Sequence, residues 1–252
     1  MQTQERKYGL SLQAPSHQTL TALAPMKFPS PGKAASLAET VDLRPHLPPV
    51  YDQGHLGSCT ANALCCLMQV LDGTPGSRLF LYFNERALEG TTALDAGGTL
   101  ADGVRSLKTQ GVCPEASWPY VPAQFARKPP PPCYANALKH EALSVYAVPL
   151  VLNSLKAALS GGHPIAMGIK VFASFESASV AKSGNVSLPK KGEALLGGHA
   201  IVVVGYSDLT QAFLVRNSWG TMWGIKGYFT IPYAYLTDAT LASDAWVIVS
   251  AS

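Results

Sequence analysis

The 252-residue chain contains little charge and no long run of basic residues. Asp, Glu, Lys and Arg together make up 14% of the sequence, and the net charge is only +3. Basic pairs stand beside Pro or Gly, as in RKPPPPC and PKKG, which is typical of solvated loops. Nucleic acids are bound through concentrated basic surfaces, so we expect no nucleic-acid partner.

Long apolar runs are also missing. No window of about eighteen consecutive apolar residues occurs, which argues against a membrane-spanning helix. Residues 1–33 mix polar residues with prolines and lack the apolar run of a secretory signal. We therefore expect a cytoplasmic protein, unless it is exported by another route or its leader lies outside this chain.

Cysteine is scarce, and the number of cysteines, five, is odd. An odd number argues against a dense disulfide framework and requires at least one free thiol. Cys113 and Cys133 lie 20 residues apart in a loop-rich segment, where they either form a disulfide or remain two free thiols. The other three, Cys59, Cys65 and Cys66, lie within eight residues.

These clustered cysteines belong to the segment CTANALCCLMQVL, which is apolar nearly all round and predicts a buried central helix. Zinc sites usually contain ligand pairs about two to four residues apart, a spacing that Cys59 and Cys65 lack. Inside the helix, Cys65 and Cys66 would be packed as small hydrophobic residues. Cys59 would stand at the helix N-terminus, where the macrodipole lowers the pKa of a thiol. We therefore interpret Cys59 as a nucleophile and expect no metal or cofactor.

The segments HAIVVVGY and AFLVRNSW flank the turn SDLTQ and predict an antiparallel hairpin. With Asp208 as the turn centre, His199 lies nine residues before it and Asn217 nine residues after it, so their side chains should meet. An Asn beside an imidazole holds the ring in one orientation. The alternative is a pair of satisfied polar residues at the end of a buried hairpin, although Gly197 and Gly198 leave one side of the ring open.

Helical patterns dominate up to about residue 150, and strand patterns dominate after it. The order predicts an α+β fold with two lobes. Helices are expected at 59–71 and in RLFLYFNERALEG, LADGVRSLKTQGV and LNSLKAALSGG, whereas the proline run at 129–132 should exclude a helix before about Tyr134. Strands are expected in PIAMGIKVF, in the two hairpin segments, in GYFTIPY and in AWVIVS. Residues 1–40 form an extension with little core of its own.

Together the motifs resemble the papain family of cysteine peptidases, in particular its bacterial members. The order Cys, His, Asn and the gap of 140 residues between Cys59 and His199 fit that family. The match runs from about residue 41 to the C-terminus and rests on three motifs: Gln53-Gly54-x-x-Gly57-Ser58-Cys59, Gly198-His199-Ala200 and Asn217-Ser218-Trp219-Gly220-x-x-Trp223-Gly224. The resemblance implies a papain-like two-lobed fold. A helical left lobe, mainly residues 50–150, would face a β-barrel-like right lobe, mainly residues 151–252, across the active-site cleft.

The resemblance also implies a role for each motif residue. Cys59 would be the nucleophile and His199 the general base and later acid, resting as a thiolate–imidazolium pair. Asn217 would orient His199, Trp219 would shield that hydrogen bond, and Gln53 would stabilise the oxyanion. The positions that match substrate-binding positions of the family are Gly97, Gly98, Leu100, Gly168, Gly198, Ala200, Trp219 and Asp244. Of these, Gly168, Ala200 and Leu100 match the lining of the main specificity pocket, and Asp244 matches its floor.

The implied function is that of a monomeric cysteine endopeptidase, which cleaves proteins or peptides through a thioester at Cys59. The alternatives are a transamidase or acyl transferase with the same Cys-His-Asn site, and a catalytically silent binding protein of the same fold.

Two residues depart from the family pattern. Leu56 stands where many relatives have a disulfide-bonded cysteine, and Thr60 replaces an aromatic residue.

The extension at residues 1–40 has two possible roles. It is either a short inhibitory pro-segment across the cleft, which would make the chain a zymogen, or a disordered tail or a segment packed on the far side of the protein.

Overall fold

One antiparallel sheet of seven strands organises the fold. The computed structural model describes residues 7–12 and 37–252. The strands are β1 (Thr40–Asp42), β2 (Ala142–Ala147), β3 (Ile165–Phe172), β4 (Leu195–Ser207), β5 (Ala212–Arg216), β6 (Tyr228–Pro232) and β7 (Ala242–Ala251). Their spatial order is β2-β7-β3-β4-β5-β6. Strand β1 pairs with β4 beyond the point where the β3 pairing ends.

Most of the longer helices lie between β1 and β2, and most of the strands follow them in the sequence, which confirms the predicted α+β class. They are α1 (Cys59–Asp72), α2 (Arg78–Glu89), α3 (Leu100–Thr109), α4 (Pro131–Ala137), α5 (Leu152–Ser160), α6 (Ala178–Ser183) and α7 (Tyr233–Leu236). Short 3₁₀ helices occur at Arg44–His46, Pro122–Gln124 and Ala173–Glu176. In the part of the chain that the structure describes, no helix has the length and apolar character needed to cross a membrane.

Helix α1 is central to the fold, as its apolar sequence predicts. Every residue from Cys59 to Met68 is buried. The helix ends at Asp72 and is capped by Gly73, whose N–H donates to the Gln69 carbonyl and whose positive φ of 75° turns the following chain out of the helix. Cys65 and Cys66 are completely buried free thiols, in agreement with the prediction that they pack as small hydrophobic residues.

Strand β4 is buried on both faces, which explains its nearly continuous apolar sequence. Ala200 and Val202 belong to the apolar cluster that includes helix α1. Ile201 and Val203 belong to a second cluster on the opposite face of the sheet. Because successive side chains of a strand point to opposite faces, this one strand contributes to both cores.

The predicted hairpin forms, but its ladder is not symmetrical about Asp208. Val202 pairs with Arg216, and a register shift then precedes the pairing of Gly205 with Leu214. A bulge adds one residue to one strand and displaces the pairing beyond it. Strand β5 ends at Arg216, so Asn217 is the first residue after it.

The proline run does not delay the next helix as predicted. Helix α4 begins at Pro131, before Tyr134. The backbone N–H groups of the first helical turn have no acceptor within the helix, so a proline there loses no hydrogen bond. The fixed φ of proline also suits a helix start.

Strand β2 lies within the range that was assigned mainly to the left lobe, although it pairs with β7 of the sheet.

Cys113 and Cys133 are both buried free thiols, so the structure contains no disulfide between them. Burial raises the pKa of Cys113, and the hydrogen bond between the two thiols acts in the same direction. Among the described residues, no group of three or more His, Cys, Asp or Glu side chains is arranged to hold a metal ion.

Gly103 in helix α3 provides a test of the packing between the first three helices. A methyl group there would lie 2.3 Å from Leu64 Cδ1 and 2.6 Å from Glu85 Oε1. Where a helix position is uncrowded, replacing Gly with Ala stabilises the helix by about 1 kcal/mol. Inserting a methyl group into a filled core instead destabilises the folded protein by about 1–3 kcal/mol. We expect Gly103→Ala to lower the free energy of unfolding by about 1–2 kcal/mol, measured by urea denaturation. If Gly103→Ala were more stable than the wild type, helices α1, α2 and α3 could make room for the added methyl group without loss of stability.

Candidate active site

Cys59 is the first residue of helix α1 and is completely buried. The loop that leads to it is fixed to both lobes. The Gln53 N–H donates to the Ser218 carbonyl of the right lobe at 2.9 Å. The Gly57 N–H donates to Asp95 Oδ1 of the left lobe at 3.0 Å. The position of the thiol therefore depends on how the two lobes are joined.

His199 and Asn217 are in contact, as the hairpin predicts. His199 Nε2 lies 2.8 Å from Asn217 Oδ1. The same Oδ1 accepts the Ser218 N–H at 2.8 Å, and a carboxamide oxygen only accepts, so Nε2 carries a proton. The Trp219 indole lies against the imidazole with a centroid separation of 5.0 Å and is 3% exposed. The indole therefore keeps water away from this hydrogen bond.

Gln53 is buried, and both ends of its carboxamide are held. Nε2 donates to the Leu56 carbonyl at 2.9 Å, and Oε1 accepts the Ser218 hydroxyl at 2.5 Å. A primary amide has two N–H donors, and the bond to Leu56 uses one of them. The plane of the carboxamide is thus fixed within the loop that leads to Cys59.

Residues 7–12, which we call the strap, lie across this site. The Leu10 N–H donates to the Gly198 carbonyl at 3.0 Å. On the opposite lobe, the Ser11 N–H donates to the Gly98 carbonyl at 3.0 Å, and the Gly98 N–H donates to the Gly9 carbonyl at 2.8 Å. The strap therefore uses backbone groups at which the family resemblance places substrate.

The Leu10 side chain enters the predicted specificity pocket. Leu10 is 4% exposed and belongs to the same buried cluster as Leu100 and Ala200. A methyl group on Gly168 would lie 2.7 Å from Leu10 Cδ2. The absence of a side chain at Gly168 thus makes room for Leu10. Leu10 thus belongs to the same buried cluster as helix α1, which the composition of residues 1–40 did not indicate.

The structure places Ser243, rather than Asp244, beside Gly168. Ser243 pairs with Gly168 across β7 and β3, and its Oγ would lie 2.8 Å from a methyl group on Gly168. Asp244 adopts a positive φ of 49° at a register shift, and burial raises the pKa of its carboxyl.

The N-terminal part of the strap contacts both lobes through its side chains. The Tyr8 ring packs edge-on against His199 and Trp219, with centroid separations of 6.2 Å in both cases. The Tyr8 hydroxyl also donates to Glu176. Lys7 Nζ forms an ion pair of 2.6 Å with Asp95.

Burial in the covered site acts against the thiolate that the family resemblance implies for Cys59. Burial raises the pKa of Cys59 to about 11, although the backbone N–H groups of Ala200 and Gly9 act in the opposite direction. Burial disfavours the charged thiolate because it removes water from around the sulfur, and the strap residue Gly9 is one of the groups that contact this sulfur.

Glu85 on helix α2 belongs to the wall of the site and was missed by the sequence reasoning. Its carboxyl is completely buried, and Oε2 accepts the Thr60 hydroxyl at 2.6 Å. Oε1 has no hydrogen-bond partner among residues 7–12 and 37–252. A methyl group on Gly98 would lie 3.0 Å from Oε2, so the carboxyl lies directly behind the cleft. In the sequence Glu85 stands between the polar residues Asn84 and Arg86, so nothing there indicated that its carboxyl is buried.

The buried Glu85 carboxyl predicts a specific dependence of stability on pH. Burial raises its pKa well above the ordinary value of 4.5, so above pH 4.5 the unfolded chain loses a proton that the folded chain keeps. The free energy of unfolding should then fall as pH rises, by about 1.4 kcal/mol per unit until the folded pKa is reached. The variant Glu85→Gln lacks this titration. We expect its stability relative to the wild type to increase between pH 4.5 and 7 in urea titrations, and a constant difference would contradict the assignment.

Comparison with known proteins agrees with this geometry. The model of the papain family of cysteine proteases matches residues 37–248. An uncharacterized peptidase C1-like protein of Acanthamoeba polyphaga mimivirus is 39% identical over 212 residues, which cover 78% of this chain and 68% of the viral protein. Cysteine proteinase 3 of Entamoeba histolytica is 29% identical over 204 residues, which cover 77% of this chain and 62% of that protein.

Among solved structures, xylellain, a cysteine protease from Xylella fastidiosa, is similar over nearly the whole chain. The TM-score is 0.87 and the sequence identity is 36%, with 98% of each chain covered. Together with the family match, this similarity shows that the chain belongs to the papain family of cysteine proteases.

Proposed function

We propose that the protein is a cysteine endopeptidase in which Cys59, His199, Asn217 and Gln53 form the catalytic site. The family gives the reaction class, that of a cysteine peptidase acting on proteins or peptides. The observation that best supports the residue assignment is the 2.8 Å contact between His199 Nε2 and Asn217 Oδ1, covered by Trp219. With Nε2 committed to Asn217, Nδ1 is the ring nitrogen that exchanges protons with Cys59.

In this mechanism the Cys59 thiol transfers its proton to His199 Nδ1, and the sulfur attacks the substrate carbonyl carbon. Gln53 Nε2 and the Cys59 N–H donate hydrogen bonds to the resulting oxyanion. The C–N bond then breaks, and the leaving amine takes the proton from His199. His199 next removes a proton from water, whose oxygen attacks the thioester, and the Cys59 thiol is regenerated.

We also propose that residues 1–40 are an inhibitory pro-segment, so that the chain is a monomeric zymogen. The strap is the part of this segment that covers the cleft. The Gly9 N–H points at the Cys59 sulfur, while the Gly9 carbonyl binds the Gly98 N–H. Gly9 thus presents a hydrogen-bond donor to the nucleophile, and its carbonyl is bound by Gly98. The strap thus lies over the buried Cys59 sulfur, and burial raises the pKa of this thiol. Residues 1–6 and 13–36 of the proposed pro-segment lie outside the residues that the structure describes.

The oxyanion role of Gln53 can be tested with an internally quenched peptide. Removal of one oxyanion donor lowers kcat by about 10²- to 10³-fold, so we expect Gln53→Ala to show this loss with little change in KM. The matched control is Ser218→Ala, which removes the hydroxyl bound to Gln53 Oε1 but keeps the amide donor. It should lower kcat less than about tenfold.

Two results would contradict the proposal. Equal losses in the two variants would make Gln53 a structural residue. Products joined to an added amine, in place of hydrolysed peptides, would favour acyl transfer over hydrolysis.

The inhibitory role of the strap can be tested by weakening its buried anchor. Burial of a Leu side chain is worth about 1.5–3 kcal/mol, so Leu10→Asp should increase the uncovered fraction, and with it peptide turnover, by roughly 10- to 100-fold. Leu12→Asp is the matched control, because Leu12 is 44% exposed whereas Leu10 is 4% exposed. Equal turnover of wild type and Leu10→Asp would show that the strap does not limit access.

A further inference from the structure

Asp95 lies in the wall that joins the nucleophile loop to the Gly97–Gly98 segment. Its Oδ1 accepts the N–H of Gly57, two residues before Cys59, at 3.0 Å. The Tyr82 hydroxyl donates to the same carboxylate and accepts the Gly97 N–H at 3.1 Å. The carboxylate is therefore anchored between the two segments that border the nucleophile on the left lobe.

The charge of this carboxylate is balanced by the strap. The Asp95 side chain is 13% exposed, and Lys7 Nζ lies 2.6 Å from its Oδ2. The nearby Arg86 stacks on the Tyr82 ring, and its N–H groups donate to backbone carbonyls, including that of Leu94 at 2.9 Å. The other donors to Asp95, Gly57 and Tyr82, are neutral. When the strap leaves the cleft, the cation that pairs with this largely buried carboxylate leaves with it.

We propose that Asp95 is a specificity-determining residue that binds the Lys or Arg side chain of a substrate, in the place where Lys7 Nζ lies in the covered site. The inference rests on the proposed peptidase function. The basic residue is the one on the acyl side of the scissile bond. In the covered site Gly9, whose N–H contacts the Cys59 sulfur, lies against both segments: a methyl group on Gly9 would lie 1.7 Å from the Gly57 oxygen, and one on Gly97 would lie 2.1 Å from the Gly9 oxygen. A substrate residue whose carbonyl carbon reaches Cys59 is bordered by the same Gly57 loop and Gly97–Gly98 segment. A long side chain that ends in a cation then reaches Oδ2, as Lys7 Nζ does.

The test uses the full-length chain with Leu10→Asp and a series of peptides that differ only in this acyl-side residue. The ratio of kcat/KM between two peptides does not depend on the fraction of enzyme covered by the strap, so it reports specificity alone. We expect Arg to be preferred over citrulline, its neutral isostere, and Lys over Glu, by about tenfold or more. This comparison needs no change at Asp95.

The same peptides are then measured with Asp95→Asn, which keeps an oxygen for the Gly57 N–H and the Tyr82 hydroxyl but lacks the charge. We expect the preference for the basic peptides to disappear. Because Asp95 also holds the Gly57 N–H, only ratios of kcat/KM between peptides cleaved by the same variant are compared. Asp238→Asn, which removes the charge of an exposed carboxylate, serves as the charge-matched control and should keep the preference.

Three outcomes would overturn the inference. The first is equal cleavage of Arg and citrulline peptides, and the second is a preference for basic peptides that persists in Asp95→Asn. The third is loss of that preference in Asp244→Asn but not in Asp95→Asn, which would assign the recognition to Asp244. Failure to cleave any peptide would overturn the proposed function as well, whereas cleavage without charge preference would overturn only the role of Asp95.

Discussion

The burial of β4 on both faces is the constraint on which the rest of the structure depends. Ala200 and Val202 face the cluster around helix α1, and Ile201 and Val203 face the core of the right lobe. A strand that serves two cores cannot shift by one residue without moving every side chain to the wrong face. This fixed register holds His199, at the start of the apolar run, relative to helix α1 and its first residue.

Within this frame, hydrogen bonds fix the loop that carries the nucleophile. Leu56 stands where many papain relatives have a cysteine, so a covalent link is missing there. In this chain the neighbouring Gly57 N–H is held by the Asp95 carboxylate, which also accepts the Tyr82 hydroxyl. A partly buried carboxylate with several donors makes strong, charge-assisted hydrogen bonds. A non-covalent tie thus takes the place of a disulfide and leaves a negative charge beside the cleft.

Coverage of the cleft and the protonation of Cys59 are linked through desolvation. The strap fills the pocket with Leu10, occupies the backbone groups of Gly98 and Gly198, and excludes water from the sulfur. A thiolate is far more sensitive to the loss of water than a thiol, so the same contacts that block the cleft also favour the neutral form. Glu85 behind the cleft follows the same rule, because its burial favours the protonated acid.

The sequence by itself determined the features that depend on neighbouring residues: the apolar helix that begins at Cys59, the hairpin that joins His199 to Asn217, and the order of the motifs. Periodicity and turn chemistry are local, so they can be read directly. Only the tertiary structure decided the strap contacts of Leu10, the placement of Ser243 beside Gly168, the burial of Glu85 and the position of Asp95. Each of these depends on contacts between residues distant in the chain, which no local pattern records.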